Sequence, residues 1–259
     1  MMHVEVHGDG RAPHLLLVHG ICSSRAQWRP NLAALSLAAT PVVVELLGHG
    51  RSEAPTDPAA YSVAGYIARF EAIRERLGVE RWAVCGQSFG AGLTMNYALA
   101  HPGRITAQVF TNSNSALRET PAGRGPTPEQ LAARAAAFEA RGRAPLEAMP
   151  FYPKRTGRLA PDVEAELVGD AALISVAGMA LGMAFTTTGL SVRDRLGEIT
   201  TPTLLVNGRR EKSFQSVRDL AAEAIAGIEV VDLEGGHPVN LDCPEHFNTA
   251  VADFLARHP

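Results

Sequence analysis

A serine set between two glycines, where an apolar run meets a helical one, is the arrangement in this chain that most directly implies chemistry. Gly86-Gln87-Ser88-Phe89-Gly90 follows the β-type run Trp82-Ala83-Val84-Cys85 and opens a small-residue helix pattern over Phe89 to Ala100. A serine on so tight a strand–turn–helix junction needs strained backbone angles, and the flanking glycines remove side chains that would collide around it. The turn projects Oγ beyond the sheet edge, at a helix N-terminus whose dipole favours a developing oxyanion. The competing reading is a serine that caps the helix. A serine nucleophile also needs a base, and the chain offers nine histidines. His3, His7 and His14 lie on or near early strands, and His101 closes the nucleophile helix. His246 sits inside the final helical run and His258 in the tail. Gly235-Gly236-His237-Pro238 follows the last apolar run. Its paired glycines suit a flexible turn that lets an imidazole lean towards Ser88.

The elements that must position these residues alternate. His3 to His7 reads as a short edge strand, followed by a turn at Gly8-Asp9-Gly10. His14 to Val18, Pro41 to Leu46, Trp82 to Cys85 and Ile105 to Thr111 are continuous apolar runs, as expected of strands buried on both faces. Arg25 to Ala38 and Ser62 to Leu77 carry helical patterns between them. Short connections between alternating strands and helices imply a mostly parallel sheet covered on both faces. The rhythm breaks after Asn112. From Ser113 to Arg195 there is a Gly/Pro-rich connection over Pro121 to Pro128, an Ala-rich helix over Pro128 to Gly142, and one or two helices over Pro161 to Met183. Strands then resume at Thr203 to Asn207 and Ile228 to Val231, with helices near Ser216 to Ala226 and Pro244 to Arg257. The expected organisation is an α/β core of residues 1–112 and 196–259, with residues 113–195 inserted as a helical cap. Such a cap would cover the carboxyl edge of the sheet, where open α/β sheets bind ligands.

Composition sets the outer limits. The chain has 259 residues, 46% hydrophobic and 20% charged, close to the average for globular proteins. A formal net charge of −3 gives no basic footprint for nucleic acid or acidic lipid. No run reaches the roughly 18 apolar residues of a membrane span, and no signal peptide is visible. Cys22, Cys85 and Cys243 are scattered and odd in number, which argues against a disulfide framework and suits a reducing cytoplasm. No HExxH, paired CxxC, EF-hand or dinucleotide glycine pattern occurs, so the expected chemistry needs neither a metal nor a nucleotide cofactor.

The motifs also arrive in a familiar order. His19-Gly20 after the second strand, the loop Gly48-His49-Gly50-Arg51-Ser52 after the third, the serine turn and a late Gly-His resemble the α/β-hydrolase superfamily. The resemblance covers the chain apart from the cap. It implies an α/β-hydrolase fold, with Ser88 as nucleophile and the backbone N–H groups of Ile21 and Phe89 as oxyanion hole. His19, His49 and Arg51 then read as loop architecture, and Glu45 stands where relatives often carry Asp. The family's chain order of Ser, acid, His makes His237 the base, with His246 as its rival. The acid commonly follows the penultimate strand as Gly-x-x-Asp. Here Asn207-Gly208-Arg209-Arg210-Glu211 offers Glu211. Asp194, at the return from cap to core, is the alternative. Asn112 stands where some relatives place the acid and has no charge, and Asp232 would lie on a strand. Relatives that open epoxides or displace halide use a carboxylate nucleophile, which Ser88 excludes.

Cap residues such as Met149, Phe151, Tyr152, Leu173, Ile174, Val176, Met179, Leu181, Met183 and Phe185 should mostly pack, with a minority lining an apolar pocket above Ser88. Lys154, Arg155 and Arg158 read as a solvated basic face. Asp57-Pro58-x-x-Tyr61-Ser62-x-x-Gly65-Tyr66 and the Glu211 loop are similar to the acyl-homoserine-lactone hydrolases. The expectation is a cytoplasmic serine hydrolase that cleaves a small-molecule ester or lactone through an acyl-enzyme, with no nucleic-acid or membrane partner. A C–C bond hydrolase acting on a diketone, or a low-turnover receptor or lyase, remains open on the same fold.

Overall fold

The computed structural model describes residues 1–10, 13–120 and 125–259. Seven strands form one sheet in the order β1-β3-β2-β4-β5-β6-β7. They are β1 (Val4–Val6), β2 (His14–Val18), β3 (Thr40–Val44), β4 (Trp82–Gly86), β5 (Ile105–Thr111), β6 (Thr203–Gly208) and β7 (Glu229–Leu233). Only β1 is antiparallel, pairing Val4 with Val44 and Val6 with Val42 on the sheet edge. All other neighbours run parallel. The expected α/β class with a mostly parallel sheet is the one observed.

Alternation along the strands sends successive side chains to opposite faces. Leu16 and Val18 of β2 join Val42, Val44 and Val84 beneath α2 (Val63–Arg76) and α3 (Phe89–Ala100), packing on Phe70, Leu93 and Tyr97. Leu15 and Leu17 point the other way, onto Trp28, Leu35, Phe247 and Phe254 of α1 (Arg29–Leu35), α11 (Pro244–Arg257) and the turn before α1. Both faces are dry, so the central strands read as unbroken apolar runs rather than as alternating ones. Because β4, β6 and β7 run parallel, the loops after their carboxyl ends, which bear Ser88, Glu211 and His237, all lie at one edge of the sheet.

Between β5 and β6 the chain is helical: α4 (Asn114–Leu117), α5 (Pro128–Glu139), α6 (Ala144–Glu147), α7 (Pro161–Ala172) and α8 (Val176–Leu181), then a π-helical turn at Gly182–Thr186. The expected helix over 25–38 is shorter. A 3-10 turn at Arg25–Trp28, capped by Ser24, leads into α1, whose second residue Pro30 suits a first helical turn. The span 161–183 divides at Ser175, whose hydroxyl accepts the Gly178 N–H and starts α8 at 88° to α7. The four-residue helices α4 and α6 are too short to show a sequence period. Of the expected connection over 121–128, residues 121–124 lie outside the described residues. No single helix among the described residues is long and apolar enough to cross a membrane. After β6 come α9 (Gln215–Ala224) and α10 (Val239–Asp242).

The α7 helix is bound to the core by charge. Asp162, Glu166 and Asp170, four residues apart, share one face of the helix. Arg29 reaches Asp162 at 3.0 Å and Glu166 at 2.6 Å, and Arg25 pairs with Glu166 as well. Arg51 meets Asp170 at 3.1 Å and the wholly buried Glu45 at 3.3 Å.

Candidate active site

The serine turn is built by close approach. Ser88 has φ +54° and ψ −113°, a backbone that side-chain-bearing residues rarely adopt. A Cβ on Gly86 would lie 2.4 Å from the Gly90 carbonyl oxygen, and one on Gly90 would lie 2.2 Å from that of Val18. Glycine at both positions lets α3 turn sharply off β4 and rest its first turn on the end of β2. Ser113 Oγ donates to the Ser88 carbonyl at 2.6 Å and holds the turn from the β5 side.

Three side chains from three loops meet there. His237 Nε2 is 2.9 Å from Ser88 Oγ, and His237 Nδ1 is 2.8 Å from Glu211 Oε2. Glu211 follows β6, and its carboxylate is fixed by two amides, Asn112 Nδ2 at 2.8 Å on Oε2 and Asn114 Nδ2 at 3.1 Å on Oε1. Burial pushes the Glu211 carboxyl up, but the hydrogen bond and charge of His237, with the Asn112 amide, outweigh it and hold the group below the usual carboxylate range. The arrangement can remove a proton from a serine hydroxyl and support the resulting imidazolium. Asp194 is exposed in the 3-10 turn Arg193–Glu198, and His246 is exposed on α11. Asp232 is held within β7 by Asn207 and Arg218. None of these three joins the cluster among the described residues.

The paired glycines before His237 sit in a crowded turn rather than the flexible one expected: a Cβ on Gly235 would lie 3.0 Å from Val239 Cγ2, and one on Gly236 3.1 Å from Asp242 Oδ2. A Cβ on Gly208, at the end of β6, would lie 2.0 Å from the Gly236 carbonyl oxygen. The Gly236 N–H donates to Asp242 at 2.6 Å, and the Gly235 carbonyl accepts from Arg210 N at 2.8 Å. The His237 loop is thus packed and tied rather than free. Gln87 adds a further tie, its Nε2 donating to the His237 carbonyl at 3.2 Å.

Two clefts open on Ser88. One, of about 300 Å³, runs beneath α7 and is walled by Leu159, Leu167, Val168, Pro238 and Leu241. The other, of about 480 Å³, passes Asn114, Ser115, Met183 and Thr187. Ile21, Pro150, Phe151, Ser88 and His237 border both. Of the ten apolar residues expected to supply packing and pocket, Phe151 and Met183 reach the clefts. Ile174 and Met179 are buried with Met149 and Tyr152. Lys154 borders the first cleft, while Arg155 and Arg158 are exposed.

A family model for the alpha/beta hydrolase fold matches residues 13–244. The chain belongs to the α/β-hydrolase family. A Pseudomonas aeruginosa hydrolase shares 27% identity with this α/β hydrolase at a TM-score of 0.79, covering 98% of this chain and 94% of that one. The enol-lactonase of Burkholderia xenovorans LB400 has a TM-score of 0.78 at 24% identity, covering 98% and 96%, a likeness of fold. A Variovorax paradoxus protein bearing the provisional name carbamate hydrolase RutD is 29% identical over 99% of this chain and 96% of its own.

Within this α/β hydrolase, Asn112, Asn114, Gln87 and Ser113 support the site through contacts that the sequence motifs do not mark. In the sequence, Asn112 reads only as an uncharged residue where some relatives place the acid. The available signal was the polar run Asn112-Ser113-Asn114 at the carboxyl end of a buried strand. The segment that resembles the lactone hydrolases serves helix starts. Asp57 caps a 3-10 turn through Ala59 N at 3.0 Å, and Ser62 caps α2 through Gly65 N at 2.9 Å.

Proposed function

We propose that this chain is a serine hydrolase that cleaves a carboxylic ester or lactone through an acyl-enzyme. The observation that carries this reading is the continuous line Ser88 Oγ, His237 Nε2, His237 Nδ1, Glu211 Oε2, with contacts of 2.9 and 2.8 Å at a strained serine turn. His237 takes the Ser88 hydroxyl proton on Nε2 as Oγ bonds to the substrate carbonyl carbon. The carbonyl oxygen becomes an oxyanion and is met by the Ile21 and Phe89 N–H groups. Collapse breaks the carbon–oxygen bond to the leaving alcohol, which receives the proton from Nε2. A water then repeats the sequence, with its proton going to His237 and returning to Ser88 Oγ. Glu211 keeps the imidazole in the tautomer that presents Nε2 to serine.

The helices between β5 and β6 act in this reading as a cap, since α7 lines the first cleft and Pro150 and Phe151 border both. The first cleft suits an apolar arm, because Leu159, Leu167, Val168, Pro238 and Leu241 wall it and two of its polar neighbours are engaged. Gln27 accepts from Gly20 N, and Glu164 is satisfied by Thr156 and Gly157. The Pseudomonas hydrolase and the Variovorax protein provisionally named a carbamate hydrolase support hydrolysis, without naming the substrate of this chain.

The test is labelling with a fluorophosphonate, mapped by peptide mass spectrometry, followed by a panel of p-nitrophenyl esters and lactones. Labelling at Ser88 with sustained turnover is expected. Labelling without turnover of any ester or lactone would favour the C–C hydrolase or receptor readings, and no labelling would sink the nucleophile assignment.

A further inference from the structure

Two buried histidines outside the reacting line bind the loop after β2 to the loop after β3, each reaching across to the other. His19, on the first loop, accepts the Leu46 N–H at Nε2 (3.0 Å) and donates from Nδ1 to its neighbour's carbonyl, Gly20 O (2.7 Å). His49, on the second loop, accepts the Cys22 N–H at Nε2 (3.2 Å) and donates from Nδ1 to Leu47 O (3.0 Å). Their rings lie 5.2 Å apart and both are buried. Each ring must be neutral with the proton on Nδ1, because each Nε2 faces a donor and each Nδ1 faces a carbonyl oxygen.

The residue His49 holds is unusual. Cys22 has φ +60°, and with Ser88 it is one of two non-glycine residues at positive φ among the described residues. A left-handed backbone at a buried cysteine persists only where its surroundings over-determine it. Cys22 directly follows Ile21, and a rotation about Cys22 would swing the peptide planes that aim Ile21 N–H. The side-chain contact of Cys22, Sγ to Met149 Sδ at 3.6 Å, is too weak to define that backbone. The His49 bond to Cys22 N is directional. His49's own loop is held in turn by the Gly48 carbonyl, which accepts Ser175 N at 2.9 Å.

We infer that His49 is a positioning residue for the oxyanion-binding Ile21 amide, acting through the Cys22 N–H. This rests on the hydrolase reading above. The imidazole touches no substrate. It keeps a donor aimed at where charge develops, so its loss should weaken the transition state and leave ground-state binding nearly intact.

The test compares His49→Asn with His49→Gln. Asparagine can still donate to Leu47 O but does not reach Cys22, whereas the glutamine Oε1 falls near the position of Nε2. The readouts are kcat and KM for p-nitrophenyl butyrate and the second-order rate of fluorophosphonate labelling. Loss of a whole oxyanion donor costs about 10²- to 10³-fold, so a misaimed one in His49→Asn should lower kcat and the labelling rate by about 10- to 100-fold, with KM within about threefold. His49→Gln should recover to within about threefold of the parent protein. Equal rates in His49→Asn and the parent, or equal loss in both variants, overturn the inference. If His49→Asn does not fold, His49→Ala is assayed with and without imidazole. Restoration of the labelling rate by imidazole carries the inference, and no restoration overturns it. A parent protein that fails to label at all removes the hydrolase reading instead, so the two failures are distinct.

Discussion

Glu211 Oε2 lies 2.8 Å from His237 Nδ1 and also 2.8 Å from Asn112 Nδ2, so one carboxylate oxygen is shared between the imidazole and an uncharged amide of the neighbouring strand end. Asn112 also donates to Gly208 O and accepts from Gly208 N, which fixes the start of the Glu211 loop. The acid therefore sits on a braced turn, and its longer side chain spans the distance to His237.

Glu211→Gln keeps length and removes charge, so kcat should fall by about 10²- to 10⁴-fold with a small change in KM. Asp194→Asn, on an exposed turn away from His237, should stay within about threefold of the parent. Steady-state kinetics of the two purified variants on one ester make the comparison. A severe Asp194 effect beside an active Glu211 variant would move the acid to the other loop.

Ser88→Ala should lose about 10³-fold or more of the hydrolysis while keeping its melting temperature near that of the parent, because the change removes one oxygen that faces the clefts and leaves the turn. Activity and circular-dichroism melting on the same sample check both halves. Near-normal turnover in a folded variant would refute the assignment.

His237→Ala should abolish most activity, and His246→Ala should not, since His246 faces solvent on α11. The reverse ranking in a matched assay would mean that the wrong imidazole has been assigned.

Arg51 neutralises two carboxylates, Glu45 on the β3 loop and Asp170 on α7, both buried. Arg51→Met removes the cation that the two carboxylates share. The cost should be about 2–4 kcal/mol, below the full penalty of a broken buried pair because the Arg51 side chain is 39% exposed. Urea denaturation reads it as a lower midpoint. An unchanged midpoint would show that water already screens the pair.

Burial holds His19 down to about 3 and His49 down to about 4, with the neighbouring His49 adding to the effect on His19. In the unfolded chain both return to the ordinary histidine value of about 6.5. Between these limits the unfolded state binds more protons, so stability is fully present above about pH 6.5 and is lost as pH falls towards 4 and then 3. Thermal melting from pH 7.5 to 4.5 should show a falling midpoint, with a shallower fall in His49→Gln. An identical slope in that variant would locate the acid sensitivity elsewhere.

The sequence alone specified the parallel α/β core, because strands dry on both faces must be short and largely apolar, and β2, β3 and β4 are. It also specified the serine turn, since glycines two residues either side of a serine between a strand and a helix have a local steric reason. It marked Glu211 and His237 by their place after the last two strands, yet Asp194 stayed in contention, because sequence spacing carries no information about which carboxylate crosses to an imidazole. Only the tertiary structure brought Ser88, Glu211 and His237 into one line, since they lie on three loops joined by no local contact. The same holds for Asn112 and Asn114 as holders of the acid, and for the close approach of Gly208 to the Gly236 carbonyl that explains glycine at 208. His19 and His49 were legible as loop residues. Their reciprocal reach became visible only when β2 and β3 paired and set the two loops side by side.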